Sequence, residues 1–248
     1  MIPKAQIKYI QSLRHKKYRR LHTAFVAEGD KLTAELLQSG RLQPLAIYAV
    51  DTWLLSHANL LEGHPGLEIR DVTDQELERI SALSAPNQVL GIFKLPDTEF
   101  RPLGTAGIQL ILDDIQDPGN LGTIIRIADW FGLKDIWCSL QTADCFNSKV
   151  LQSTMGSIAR VQVHYADLEL LLAACSIPVY AATLDGISLW ELPRVSDCAL
   201  VIGNESRGIS EGVLSLAVRR IAIPRTGSAE SLNAAVAAGI LCSKLILG

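Results

Sequence analysis

Three polar segments in the second half of the chain carry residues able to hold a ligand and act on it. The first, Asp117-Pro118-Gly119-Asn120-Leu121-Gly122-Thr123-Ile124-Ile125-Arg126, joins a Pro-Gly turn to an apolar run that Arg126 interrupts. A permanently charged guanidinium in such a run is costly to bury unless a partner waits for it. The second, Gly203-Asn204-Glu205-Ser206-Arg207-Gly208, sets four polar residues between two glycines directly after the apolar Ala199-Leu200-Val201-Ile202. Glycine there lets backbone approach a ligand closely. The third runs from Ile223 to Asn233 and feeds an Ala-rich stretch. Each has a plainer reading as well. Asn120 suits a helix cap, Arg126 a surface charge, Gly203–Gly208 an ordinary strand-to-helix turn, and Ser231 the cap of the last helix.

Other chemistries lack their signatures. No G-x-G-x-x-G follows the first strand of either half, no Walker A or G-x-S-x-G string occurs, and no His, Cys or carboxylate set has metal-ligand spacing. The histidines are scattered and read as structural or surface residues. The five cysteines form no recognisable pairing and sit in apolar surroundings, as reduced core residues do.

The elements that must position the three segments follow from periodicity and punctuation. A helix is expected over Lys4–Leu13, strands at Phe25–Glu28, Pro44–Val50, Leu67–Val72 and Gln88–Lys94, and helices at Asp30–Leu37 and after the Thr73–Glu76 capping box. These form a small α/β domain over residues 1–95. A Pro- and Gly-rich linker covers 96–107, and a larger α/β domain with a mainly parallel sheet covers 108–248. Its strands are expected at Ile108–Ile115, Asp135–Ser139, Arg160–Tyr165, Val179–Thr183, Cys198–Gly203 and Arg220–Pro224. Its helices are expected at Asn120–Phe131, Asn147–Thr154, Leu168–Ala174, Glu211–Ala217 and Ser231–Leu247. In such sheets the loops at the carboxyl ends of strands are the usual ligand sites.

With 48% hydrophobic and 20% charged residues the chain has the composition of a folded, soluble protein. The most apolar stretch, Ser231–Leu247, is broken by Asn233, Gly239 and Lys244 and reads as a buried helix, so no membrane span is expected. The N-terminus lacks the apolar core of a secretory signal, which leaves the cytoplasm as the expected location. Net charge is only −3, yet residues 1–20 hold seven cations and no acid. Lys16, Lys17, Arg19 and Arg20 are therefore candidate RNA-phosphate contacts; a solvated terminal helix is the alternative.

Taken together, DPGNLGTIIRIADWFG at 117–132, LVIGNESRG at 200–208 and IPRTGSAESLNAAVAAGI at 223–240 resemble the SpoU (TrmH-like) branch of the SPOUT methyltransferases, with SKVLQSTMGS at 148–157 as a weaker match. The region around Phe25-Val26-Ala27-Glu28-Gly29 resembles the substrate-binding domain that precedes this catalytic domain. The resemblance implies an α/β knot that binds S-adenosylmethionine, a homodimer, and methylation of an RNA ribose 2′-oxygen. Asn120, Arg126, Glu205, Ser231 and Asn233 match the family's catalytic positions. Gly203, Ile223, Leu232 and Asn233 match positions around the cofactor. Ala235 departs from the pattern, since many relatives carry Ser there. The resemblance implies that Arg126 either removes the hydroxyl proton or acts electrostatically; because arginine holds its proton tightly in water, the role expected here is to clamp a phosphate and stabilise charge on the ribose oxygen, with deprotonation as the alternative. Glu205 and Asn233 are expected to shape the pocket and orient substrate or Arg126. The N-terminal domain favours ribosomal RNA over transfer RNA. The retained polar residues argue against a non-catalytic assembly factor.

Overall fold

In the computed structural model, which describes residues 1–97 and 101–248, the chain divides into two compact units. One holds 1–97 together with 144–160; the other holds the described residues of 98–143 together with 161–248. The expected linker at 96–107 lies partly outside the described residues.

The first unit opens with α1 (Lys4–Ser12), which turns Ile7 and Ile10 inward and leaves Lys4 and Lys8 exposed. A second helix, α2 (Lys16–His22), ends where Thr23 takes a left-handed φ of 49°. Then come β1 (Ala24–Glu28), α3 (Asp30–Ser39), β2 (Pro44–Ala49), α4 (Asp51–Ser56), α5 (Ala58–Glu62), β3 (Glu68–Asp71), α6 (Asp74–Ile80) and β4 (Val89–Lys94). The sheet order is β1-β4-β2-β3, with β4 antiparallel to both neighbours and β2 parallel to β3. Thr73 and Glu76 form the expected capping box at α6. Ile10, Tyr48, Leu77 and Ile92 meet in the core. The segment α2 and the pair α4–α5 were not expected from periodicity.

Arg19 is a correction to the sequence reading. It is only 3% exposed, donates from Nη1 to the Leu13 and Arg14 carbonyls at 3.0 and 2.8 Å, and pairs through Nη2 with the Asp144 carboxylate at 2.6 Å. A guanidinium so enclosed serves the fold and does not face a phosphate. Lys16, Lys17 and Arg20 are exposed.

The second unit runs β5 (Ile108–Leu112), α7 (Pro118–Trp130) and β6 (Asp135–Ser139). The next helix, α8 (Ser148–Thr154), packs within the first unit, where Phe146 meets Phe25 at 4.6 Å and Gln152 donates to the Glu28 carbonyl at 2.7 Å. The second unit resumes with β7 (Gln162–Ala166), α9 (Leu168–Ala173), β8 (Val179–Ser188), β9 (Cys198–Ile202), α10 (Glu211–Ser215), β10 (Arg219–Ala222) and α11 (Ala234–Leu247). All paired strands of its sheet are parallel, in the order β10-β8-β9-β5-β6-β7. The central strand β9 is buried at every residue, so its sequence is a continuous apolar run with no alternation.

Two helix starts differ from expectation. The side chain of Asp117, not Asn120, caps α7, and Pro118 occupies its first turn, where a missing N–H costs nothing. Asn233, not Ser231, caps α11, its Oδ1 accepting the amides of Ala235 and Val236 at 2.9 and 3.3 Å.

Candidate active site

From β5 the chain moves outward through β6 to β7, then crosses to β8 on the far side of β9. The order therefore reverses between β5 and β9, and the carboxyl ends of those strands form the crevice where open α/β sheets bind ligands. The two strand ends are tied together. The Asp113 amide donates to the Ile202 carbonyl at 2.9 Å, Asn204 Nδ2 to the Asp114 carbonyl at 2.8 Å, and the Ser210 amide to the Asp113 carboxylate at 2.8 Å. Asn204 Oδ1 also accepts the Ser206 and Arg207 amides, and Arg207 pairs with the Asp114 carboxylate. Asn204 and Arg207 belong to the second segment but were given no role of their own, and Asp113 and Asp114 fell inside the expected strand Ile108–Ile115. Two consecutive acids directly after a buried strand were the available signal.

A second set of bonds joins all three sequence segments. Asn233 Nδ2 donates to Asn120 Oδ1 at 2.8 Å, and Asn120 Nδ2 donates to Glu205 Oε1 at 2.6 Å. Because Asn233 Oδ1 is engaged at the α11 N-terminus, its amide is fixed in one orientation, and that orientation fixes Asn120 in turn. The relay ends on Glu205, whose Oε2 makes no hydrogen bond among the described residues.

Beside this relay lies a cavity of about 690 Å³, lined by Gly203–Ile209, by residues of 223–232 and by apolar groups that include Leu214, Ile221 and Leu241. Gly203 packs so closely under the second segment that a Cβ there would sit 2.4 Å from the Gly208 carbonyl carbon. A mainly apolar lining with several polar residues suits a nucleoside, whose base buries on apolar surface while polar groups meet its edge.

Of the residues expected at the cofactor, Gly203, Ile223 and Leu232 line the cavity, as do Glu205 and Ser231. Asn233 is not among the lining residues and is committed to the helix cap and Asn120. Arg126 is exposed on α7 and forms no hydrogen bond or ion pair among the described residues. Six residues from Asn120 at about 100° each place it roughly a third of a turn away around the helix, so the structure does not bring it into the relay. The burial penalty that its apolar neighbours suggested does not arise.

The fold and this arrangement define an α/β enzyme with its ligand loops at the carboxyl ends of a parallel sheet. The chain belongs to the SpoU rRNA Methylase family, whose model matches residues 107–243. An MRM3-like substrate binding domain matches residues 4–91. The chain is similar to the 23S rRNA (guanosine(2553)-2′-O)-methyltransferase RlmP of Bacillus subtilis (strain 168), at 32% identity over 95% of this chain and 97% of that protein. Among solved structures, a TrmH-family protein from Porphyromonas gingivalis has 38% identity and a TM-score of 0.86, covering 99% of this chain and 98% of its own. An AdoMet-bound rRNA methyltransferase from Sinorhizobium meliloti has 29% identity and a TM-score of 0.86, covering 99% and 95%. These matches bear out the family and the fold class read from the sequence.

Proposed function

We propose that the chain transfers a methyl group from S-adenosylmethionine to a ribose 2′-hydroxyl of ribosomal RNA. The observation that carries this is the Asn233–Asn120–Glu205 relay, which joins the three segments beside the nucleoside-sized cavity. The Bacillus relative, named for methylation of a 23S rRNA ribose, supports the substrate, and the AdoMet-bound Sinorhizobium structure supports the methyl donor. The cavity fits that donor: its volume of about 690 Å³ and its mainly apolar lining, with Gly203, Ile223 and Leu232 among the residues around it, suit a nucleoside-sized molecule.

When bound, S-adenosylmethionine supplies a methyl group on a sulfonium sulfur, which needs a nucleophile aligned in line with the S–C bond. Glu205 lines the cavity with Oε2 free to accept a hydrogen bond from the attacking hydroxyl and to take up its proton as the oxygen is methylated. Asn120 and Asn233 hold that carboxylate in place. Arg126 clamps the neighbouring phosphate through its planar fork and stabilises charge developing on the ribose oxygen. Gly203, Ile223, Leu232 and Ser231 form the cofactor wall.

Residues 1–95 serve as the RNA substrate domain and 108–248 as the methyltransferase domain, with 144–160 contributing to the packing of the former. The C-terminal segments fold as a trefoil knot, an exception to the rule that chains avoid threading. The enzyme works as a homodimer in the cytoplasm. Apolar surface on α7 and α11, including Trp130 at 84% exposure and Val236 at 52%, supports self-association. Among the described residues no helix is long and apolar enough to cross a membrane.

The test is incorporation of labelled methyl into ribosomal RNA, with the modified riboses mapped. Arg126→Ala should lose transfer while its thermal unfolding and its calorimetric titration with S-adenosylmethionine match wild type, because Arg126 supports no other residue. Arg126→Lys should rescue poorly, an ammonium lacking the bidentate fork. Near-wild-type turnover in Arg126→Ala removes the clamp. A wild-type protein that takes up no S-adenosylmethionine removes the reading as a whole.

A further inference from the structure

The first unit carries a row of surface aromatic rings that methyl transfer does not use. His15 stands at the start of α2, and Tyr18 and His22 follow at spacings that put all three on one side of the helix. His15 and Tyr18 have ring centroids 6.4 Å apart; Tyr18 and His22 are also 6.4 Å apart and nearly parallel, at 17°. Tyr9 of α1 meets His22 edge-on at 5.0 Å. Tyr18 keeps 39% of its surface, and both histidines are exposed, so the row stands at the surface of the unit.

The same helix carries Lys16, Lys17 and Arg20. All three are exposed, and none forms an ion pair or side-chain hydrogen bond among the described residues. The first acidic residue in the chain is Glu28, which is buried. Cations without counter-charges suit phosphates, and exposed rings suit the faces of bases. At about 100° per residue the three cations lie roughly a third to nearly half of a turn around α2 from the ring row, so they suit phosphates of neighbouring nucleotides rather than those of the stacked bases. Duplex RNA hides its base faces by stacking, so only unpaired nucleotides can reach the rings.

We propose that α1 and α2 form a stacking platform for unpaired nucleotides of the RNA substrate, centred on Tyr18 and His22, with Lys16, Lys17 and Arg20 holding the phosphates. This rests on the reading of RNA as substrate and deepens it, because it commits the substrate segment to single-stranded form. The sequence reading sets these histidines aside and finds only the cations; a ring row emerges once α2 is known to be helical.

The experiment uses the full chain and two fluorescent probes, a short RNA single strand and the same strand in a duplex, each titrated over a range of salt. The single strand should bind more tightly. Tyr18→Ala should weaken it by about tenfold with the salt slope unchanged, and Tyr18→Phe should restore it, because stacking needs the ring and not the hydroxyl. His22→Ala should weaken binding in the same way. Replacing Lys16, Lys17 and Arg20 together by Ala should flatten the slope by about two, at roughly 0.7 per cation on single strands. Titration with S-adenosylmethionine serves as the folding control and should match wild type in every variant. Equal binding of strand and duplex, or wild-type binding by Tyr18→Ala and His22→Ala, overturns the platform and leaves the enzyme reading standing. A wild-type chain that takes up S-adenosylmethionine and binds neither probe overturns the platform together with its premise that the N-terminal unit meets RNA.

Discussion

Asn120 has one usable orientation. Its Oδ1 accepts from Asn233 and its Nδ2 donates to Glu205. Flipping the amide would set two NH₂ groups face to face at one end and two oxygens at the other. Removing it frees the Glu205 carboxylate to sample other positions, and a hydrogen bond to a charged group contributes about 1.5–3 kcal/mol. Asn120→Ala should therefore lower the single-turnover rate of methyl transfer by about ten- to a hundredfold. The dissociation constant for S-adenosylmethionine should stay nearly unchanged, since Asn120 does not line the cavity. Asn120→Asp places a carboxylate against Glu205, and like charges so close cannot both ionise without cost. Its activity should recover as pH is lowered, when a proton shared between the two carboxyls restores a donor. An equal loss of cofactor affinity in Asn120→Ala would make the relay a support for the pocket and nothing more.

At the scale of elements, β9 and α11 each bury a thiol, Cys198 and Cys242, both 0% exposed. Burial pushes each up from 9.0 to about 12, and for Cys198 the neighbouring Cys242 and Asp197 add to the rise. The folded state thus holds these protons more tightly than the unfolded chain. Their contribution to stability is complete below pH 9 and is lost as pH rises towards 12, at about 1.4 kcal/mol per pH unit for each thiol. Burial also raises Tyr9 and Tyr48 from 10.0, so wild type must be compared with a variant. Urea unfolding across the alkaline range should give a shallower decline for Cys198→Ala/Cys242→Ala than for wild type; identical declines would clear the thiols of any part. β9 and α11 also show what the sequence reveals. The strand is a run of apolar residues with nothing to contradict it, and its position is read almost to the residue. The helix is read from its Ala-rich body, but its start is displaced from Ser231 to Asn233. Both residues are competent caps, and only the cavity wall, which needs residues through Leu232 in loop form, decides between them. At α7, Asp117-Pro118 carried a cap signal that the Pro-Gly turn obscured. The three site segments were legible because each follows a strand and breaks its pattern with glycine and polar residues; the relay was not, because its bonds span 85 and 113 residues.

At the scale of the molecule, the chain leaves the second unit after residue 143, builds α8 into the first unit, and returns at residue 161. Local pattern predicts α8 but carries no trace of its partners, so Arg19 reads as one more cation in a basic run. Its true counterpart, Asp144, lies 125 residues away. The consequence is a division of labour among neighbouring cations that can be measured. Arg19 has no polar partner for its Nε and keeps its charge buried on the strength of two carbonyls and Asp144. Removing one partner of a buried pair strands the other charge, at a cost of about 3–5 kcal/mol when both are enclosed. Asp144 is 18% exposed, so water can partly replace it, and a cost of about 2 kcal/mol is the better expectation. Asp144→Ala should lower urea-unfolding stability by that amount, and Asp144→Asn, which keeps an acceptor without the charge, by about half. Arg20→Ala, exposed and unpaired, should stay within about 0.5 kcal/mol of wild type. RNA binding should rank the variants in the opposite order. Arg20→Ala should reduce the salt slope by about 0.7, whereas Asp144→Ala should leave it unchanged. If Asp144→Ala proves neutral to unfolding, or if its salt slope rises because Arg19 has swung out to the RNA, then Arg19 belongs with the surface cations and its burial is not what holds α2 in place.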